Sequence, residues 1–234
     1  MKKLILLLTV VVLVISCKNS TDSNKEGEEK QARDLSYLAL GDSYTIGESV
    51  EPEMRWPVQL VDSLRDREIN VNYPVIIAKT GWTTGDLLGT MDQKLDQEKF
   101  DLVSVLIGVN NQYQGKSIEA YEADLHEIFQ QAIEHSRRGK EGVFVVSIPD
   151  YGATPYGEPK AEEIGREIEE FNTVFRRVAK EYELDFYDIT PISKKGIEEP
   201  GLVASDRLHP SGDMYSLWVE EFVDKVMAKV SAGI

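Results

Sequence analysis

The sequence predicts a three-layer α/β/α sandwich around a parallel sheet of about five strands. Three observations predict it. Short apolar runs alternate with longer amphipathic ones, as βαβ units require. Some of the short runs are almost wholly apolar, which fits parallel strands covered on both faces. The residues able to carry chemistry follow the ends of four of the five runs, where open α/β sheets place their ligands.

The strand candidates, in order, are Tyr37–Leu40, Val71–Ala78, Leu102–Ile107, Val143–Ile148 and Phe186–Ile189. Leu102-Val103-Ser104-Val105-Leu106-Ile107 is the clearest. Trp56–Arg67 carries Leu60, Val61 and Leu64 on one helical face. Ser117–Arg137 carries Tyr121, Leu125, Ile128, Phe129 and Ile133, with Ser117 as an N-cap. Pro159–Tyr182 carries Ile164, Ile168, Phe171, Phe175 and Val178, and Pro159 suits a first helical turn. A last helix starts at Ser211 and buries Met214, Trp218, Phe222 and Val226. The Glu-rich stretch from Lys160 to Glu170 reads as a solvated face, and His126 and His135 as surface residues on a charged helix.

The amino-terminal segment reads differently. Lys2 and Lys3 precede a continuous apolar run, Leu4–Ile15, that is short for a membrane span and has the form of a signal peptide over residues 1–16. The run stops at Val14-Ile15-Ser16-Cys17, which resembles the lipobox of bacterial lipoproteins. That resemblance implies lipidation of Cys17 and a location in the bacterial cell envelope, outside the cytoplasm and anchored by lipid. Cys17 is the single cysteine, so an internal disulfide is excluded. Residues 17–34 lack large apolar side chains up to the last position and are expected to be a disordered tether. Residues 35–234 then form one domain.

A formal net charge of −15 argues against nucleic acid or an anionic membrane surface as an electrostatic partner. No His/Cys/Asp/Glu cluster has metal-ligand spacing and no glycine-rich phosphate loop is present, so neither metal nor cofactor is expected.

The chemistry is expected at Gly41-Asp42-Ser43-Tyr44-Thr45-Ile46-Gly47, directly after the first strand. By itself a serine there is an ordinary helix N-cap. It becomes a nucleophile candidate because Asp206 and His209 stand together in Asp206-Arg207-Leu208-His209-Pro210 after the fifth strand. A serine, a histidine base and an orienting acid are the parts of an activated hydroxyl. The oxyanion of an ester would be held by the backbone N–H groups of Ser43 and Gly81 and the side-chain amide of Asn110. Small neighbours of Ser43 would let a substrate carbonyl approach. Tyr44, Trp82 and Tyr113 belong near the same cleft or in the packing around it.

These blocks together resemble the SGNH (GDSL-type) hydrolase superfamily of esterases and lipases, which has a flavodoxin-like sheet. Gly41-Asp42-Ser43 matches its first block, Gly81 in Lys79-Thr80-Gly81-Trp82 its second, Gly108-Val109-Asn110 its third, and Asp206-Arg207-Leu208-His209-Pro210 its fifth. The family commonly has Asp after the third-block Asn. Here Asn111 stands there, so two adjacent amides compete for the oxyanion, and spacing from Gly108 favours Asn110. The Gly-x-Ser-x-Gly elbow of the larger α/β-hydrolase class is absent around Ser43.

The resemblance implies a serine esterase acting on small-molecule, lipid or glycan esters, either lysophospholipase-like or like a carbohydrate O-acetylesterase. A non-catalytic envelope binding lipoprotein on the same fold, or an O-acyltransferase using the same triad, are the alternatives. The short segments after Ser43 and Asn110 predict an open, shallow cleft suited to a small acyl group on a large alcohol.

Overall fold

The computed structural model describes residues 33–232. The expected signal peptide and Cys17 lie outside the described residues, as does the tether up to residue 32. Arg33, at the far end of that expected tether, is already fastened to the domain: its guanidinium donates to both carboxylate oxygens of Asp101, at 2.5 and 2.7 Å.

Five parallel strands form one sheet: β1 (Tyr37–Gly41), β2 (Val75–Ala78), β3 (Leu102–Leu106), β4 (Val143–Val146) and β5 (Asp185–Tyr187). Their spatial order is β2-β1-β3-β4-β5. The helices are α1 (Ser43–Ile46), α2 (Trp56–Arg65), α3 (Thr84–Lys94), α4 (Val109–Tyr113), α5 (Ile118–Glu134), α6 (Ala161–Glu181), α7 (Thr190–Ser193) and α8 (Gly212–Ser231). Every residue of β1, β3 and β4 is buried, as the unbroken apolar runs require.

One helical layer is α2 packed on α8, and the other is α5 packed between α3 and α6. Trp56 of α2 and Phe222 of α8 meet edge to face at 6.0 Å, and both contact Phe144 of β4. In the other layer Tyr121 and Phe129 of α5 pack against Phe171 and Phe175 of α6, at 4.8 and 5.5 Å respectively. Each large apolar side chain withdrawn from water in this way contributes about 1.5–3 kcal/mol. Ser117 and Ser211 cap α5 and α8 through bonds from Ala120 and Met214 N–H.

Several strand boundaries depart from expectation, and one long helix is added: β3 ends at Leu106 and β4 at Val146, each short of its apolar run. β2 begins at Val75, not Val71, because Pro74 has no N–H to give a ladder; Val71 instead forms an isolated bridge with Leu35. β5 ends at Tyr187, and Ile189 already caps α7. Helix α3 was not anticipated. Its signal was the capping box Thr83-x-x-Asp86, in which each side chain accepts the other's backbone N–H.

The strand order reverses beside β1, so the loops after β1 and β3 leave the sheet next to each other and open a crevice at its carboxyl edge. Ser43 opens the helix after β1 and Asn110 lies in the helix after β3.

Candidate active site

Ser43 owes its position to the residues on either side of it. Asp42 caps the single turn of α1, its Oδ1 accepting the Tyr44 N–H at 3.0 Å, and Gly47 ends the turn in the left-handed conformation. A side chain at Gly41 would collide with the Leu106 carbonyl and with Thr45, so this glycine serves the close packing of β1 on β3, not the approach of a substrate. Ser43 retains 3% of its surface exposed.

His209 faces Ser43, with Nε2 2.9 Å from the Ser43 hydroxyl. Its Nδ1 is 2.6 Å from Asp206 Oδ2. A carboxylate only accepts, so the proton resides on Nδ1 and Nε2 is the acceptor for the serine hydroxyl. The turn that carries this pair is built by Asp206 itself. Its Oδ1 accepts the backbone N–H groups of Leu208 and His209, both at 2.9 Å. Ala204 N–H closes the loop on the His209 carbonyl, and Val203 bridges to Pro210 just ahead of α8. The Tyr44 ring packs on the imidazole at 5.0 Å.

Ser49 joins the same chain, its hydroxyl donating to Asp206 Oδ2 at 2.7 Å. Burial alone would raise the Asp206 carboxyl. Bonds from His209, the two backbone N–H groups and Ser49 outweigh it and hold the group down at about 2. Ser49 and Arg207 are both non-glycine residues at positive φ, 65° and 68°. Such conformations cost on the order of 1–3 kcal/mol and persist where surrounding contacts fix them.

Gly81 and Asn110 line one cavity with Ser43 and His209, of about 190 Å³. Gly81 has φ 84°, and nothing lies within 4 Å of where its side chain would be, so glycine is demanded by the backbone conformation. Asn110 donates to the Trp82 carbonyl at 3.1 Å, and its amide nitrogen lies 3.5 Å from Asp42 Oδ2. Asn111 points elsewhere: it is buried, its oxygen accepts the Thr84 N–H at 3.0 Å and its nitrogen donates to Thr84 Oγ1 at 2.7 Å. Of the two amides, Asn110 is the one that borders the cavity.

Asp42 is fully buried. Burial pushes its carboxyl up to about 7 despite the bonds it accepts, among them those from Tyr44 and Asn110. Of the three aromatic residues that could line the cleft or pack around it, Tyr44 and Tyr113 border the cavity, together with Tyr151 and Tyr156, whereas Trp82 packs partly buried against the core. His126 and His135 are only partly exposed: His126 Nδ1 lies 3.4 Å from the Tyr182 hydroxyl and His135 Nδ1 2.8 Å from the Glu98 carbonyl. Glu163 and Glu167, expected on a solvated face, line a second cavity beside the first. Ser49 and Tyr156 were missed, since nothing local in the sequence signals a contact made across the fold. Among the described residues no group of three or more potential metal ligands occurs.

Known proteins share this arrangement of chain. An arylesterase of Vibrio mimicus is 25% identical over 192 residues, covering 82% of this chain and 88% of its own. Two solved structures share the fold. A lipase/acylhydrolase from Enterococcus faecalis has a TM-score of 0.66 at 21% identity, covering 83% of this chain and 96% of its own. The psychrotrophic esterase EstA of Pseudoalteromonas sp. has a TM-score of 0.62 at 19% identity, covering 85% of this chain and all of its own. The model of the GDSL-like lipase/acylhydrolase family matches residues 39–217, a span running from β1 through the Asp206–His209 turn into α8. The chain therefore belongs to the GDSL-like lipase/acylhydrolase family of the SGNH superfamily, and is a carboxylic ester hydrolase.

Proposed function

We propose that the protein is a serine esterase that removes short acyl groups through an acyl-Ser43 intermediate. The observation that carries this is the continuous hydrogen-bonded chain from Asp206 through His209 to Ser43. Ser43 Oγ attacks the ester carbonyl while His209 Nε2 takes its proton. The resulting imidazolium is stabilised by the Asp206 carboxylate. Negative charge on the former carbonyl oxygen is met by the backbone N–H groups of Ser43 and Gly81 and by the Asn110 amide. Collapse breaks the ester bond, and His209 gives its proton to the departing alcohol oxygen. A water molecule, deprotonated by the same imidazole, then releases the acid and restores Ser43.

The size of the cavity, about 190 Å³ with Tyr44, Val109, Tyr113 and Leu208 in its wall, supports a small acyl group. The test is hydrolysis of 4-nitrophenyl esters by purified protein beside Ser43→Ala. The reading predicts turnover of the acetyl ester, lost in the variant, with kcat/KM that does not climb from acetyl to octanoyl. Unchanged turnover in Ser43→Ala contradicts the mechanism, and a steep climb with chain length contradicts the acyl preference.

A second part of the proposal concerns location. Lys2, Lys3, the apolar run Leu4–Ile15 and Cys17 together support lipid anchoring in the cell envelope. Among the described residues no helix is long and apolar enough to cross a membrane. Expression in a bacterial host with labelled fatty acid should label the parent and not Cys17→Ala; equal labelling of both contradicts the anchor.

A further inference from the structure

A second and wider cavity, of about 560 Å³, adjoins the one around Ser43. Tyr113, Tyr151 and Tyr156 line both, so the two spaces are parts of one site with tyrosines between them. The hydroxyls of Tyr113 and Tyr156 are 2.8 Å apart, and both rings are about half exposed, at 56% and 49%. The far wall comes from the start of α6 and its approach, with Lys160, Glu163 and Glu167, and from Gln112 of α4. Gln112 Nε2 donates to Glu167 Oε2 at 2.7 Å and so fixes that carboxylate.

The side of the ester that this wider space serves follows from where the proton goes. His209 must protonate the departing oxygen, so the alcohol half of the ester lies on the His209 side. Tyr156 is fastened to that side: its backbone N–H donates to the Arg207 carbonyl, at 3.0 Å, within the Asp206–His209 turn. The acyl half is left in the smaller cavity against Ser43, Gly81 and Asn110.

The lining then selects the chemistry of the alcohol. A hydrocarbon chain laid along Glu163 and Glu167 would strip water from two carboxylates and return no hydrogen bonds. An anionic headgroup would meet two carboxylates, with Lys160 already engaged by Glu163 at 3.7 Å, in a chain of net charge −15. A neutral polyhydroxylated group suits both walls. Its hydroxyls donate to the Glu163 and Glu167 carboxylates, and its C–H faces lie on the tyrosine rings.

We propose that this groove is an alcohol-side subsite for a neutral, polyhydroxylated leaving group such as a sugar unit, which deepens and rests on the esterase reading above. The test compares kcat/KM for a mono-O-acetylated methyl glucoside with that for hexyl acetate, in the parent and in Glu163→Ala/Glu167→Ala. Both substrates carry the same acyl group, so their ratio reads the alcohol side alone. The parent should favour the glucoside ester, and the double variant should lower the ratio at least tenfold. Methyl glucoside should inhibit hexyl acetate hydrolysis competitively, and glucose 6-phosphate should do so far more weakly. A parent that favours hexyl acetate, or a ratio that moves less than threefold in the variant, overturns the subsite while leaving the esterase standing. A parent that cleaves neither acetate overturns the esterase reading and the subsite with it.

Discussion

Ser49 and Asp206 are 157 positions apart in the chain, and the Ser49 hydroxyl donates to Asp206 Oδ2 at 2.7 Å, the same oxygen that accepts His209 Nδ1. Asp206 therefore has each oxygen fixed by two donors, one pair from its own turn and one pair spanning Ser49 and His209. Ser49 reaches Asp206 from a left-handed backbone just beyond Gly47, which ends the helix bearing Ser43. The segment that carries Ser43 thus also steadies the carboxylate bonded to the histidine that faces it.

Removing that hydroxyl should weaken catalysis without abolishing it, since three donors to Asp206 remain. A hydrogen bond to a charged group is worth about 1.5–3 kcal/mol, and the site is partly exposed, so a fall of roughly three- to tenfold in kcat/KM is expected for Ser49→Ala. Ser49→Gly loses the same bond but relieves the positive φ. It should match the alanine variant in activity and exceed it in thermal stability. Full activity in both variants would remove Ser49 from the account.

The adjacent amides should separate cleanly. Asn110→Ala should lower kcat by about a hundred- to a thousandfold, as loss of one oxyanion donor does, with thermal stability changed little. Asn111→Ala should do the opposite, because it leaves the buried Thr84 N–H without its acceptor, at a cost of about 1–3 kcal/mol. Steady-state kinetics and thermal melts on the two variants decide it. A larger kcat loss in Asn111→Ala would reassign the donor.

Two carboxyls give opposite pH signatures. Asp42 is raised from 3.8 to about 7 in the fold, so between those values the folded chain holds a proton that the unfolded chain has released. Its contribution to stability is therefore present at low pH and falls as the pH rises from about 4 to 7. Asp206, lowered to about 2, contributes stability that is complete above its ordinary 3.8 and is lost as the pH falls from there through about 2. On going from pH 5 to pH 8 the parent should lose more thermal stability than Asp42→Asn does. Parallel curves would mean that Asp42 does not titrate in this window.

Much of the site was legible because its members lie in short blocks at strand ends. Ser43, Gly81, Asn110 and the Asp206/His209 pair each follow a strand that the apolar runs mark, and a parallel sheet brings such ends to one edge. Spacing from Gly108 favours Asn110 over Asn111 without deciding between them, and the reason Asn111 turns away, its bonds to Thr84, lay in a helix that the apolar pattern did not mark. Ser49, Tyr156 and the pair Glu163 and Glu167 could not be read, because each matters through a neighbour distant in sequence. The Glu-rich start of α6 has the pattern of a solvated face, and only the approach of Gln112 and the tyrosines makes part of it the wall of a groove. The shortened β2 was legible in principle, since Pro74 interrupts its run.

The proposed esterase chemistry requires Ser43 to be an activated nucleophile. The most direct test treats purified protein with a fluorophosphonate probe and maps the adduct by mass spectrometry, beside Ser43→Ala and His209→Ala. A single phosphonylated residue, Ser43, is expected, with no adduct in Ser43→Ala and strongly slowed labelling in His209→Ala. A folded parent that takes no label, or one labelled at another residue, would contradict it.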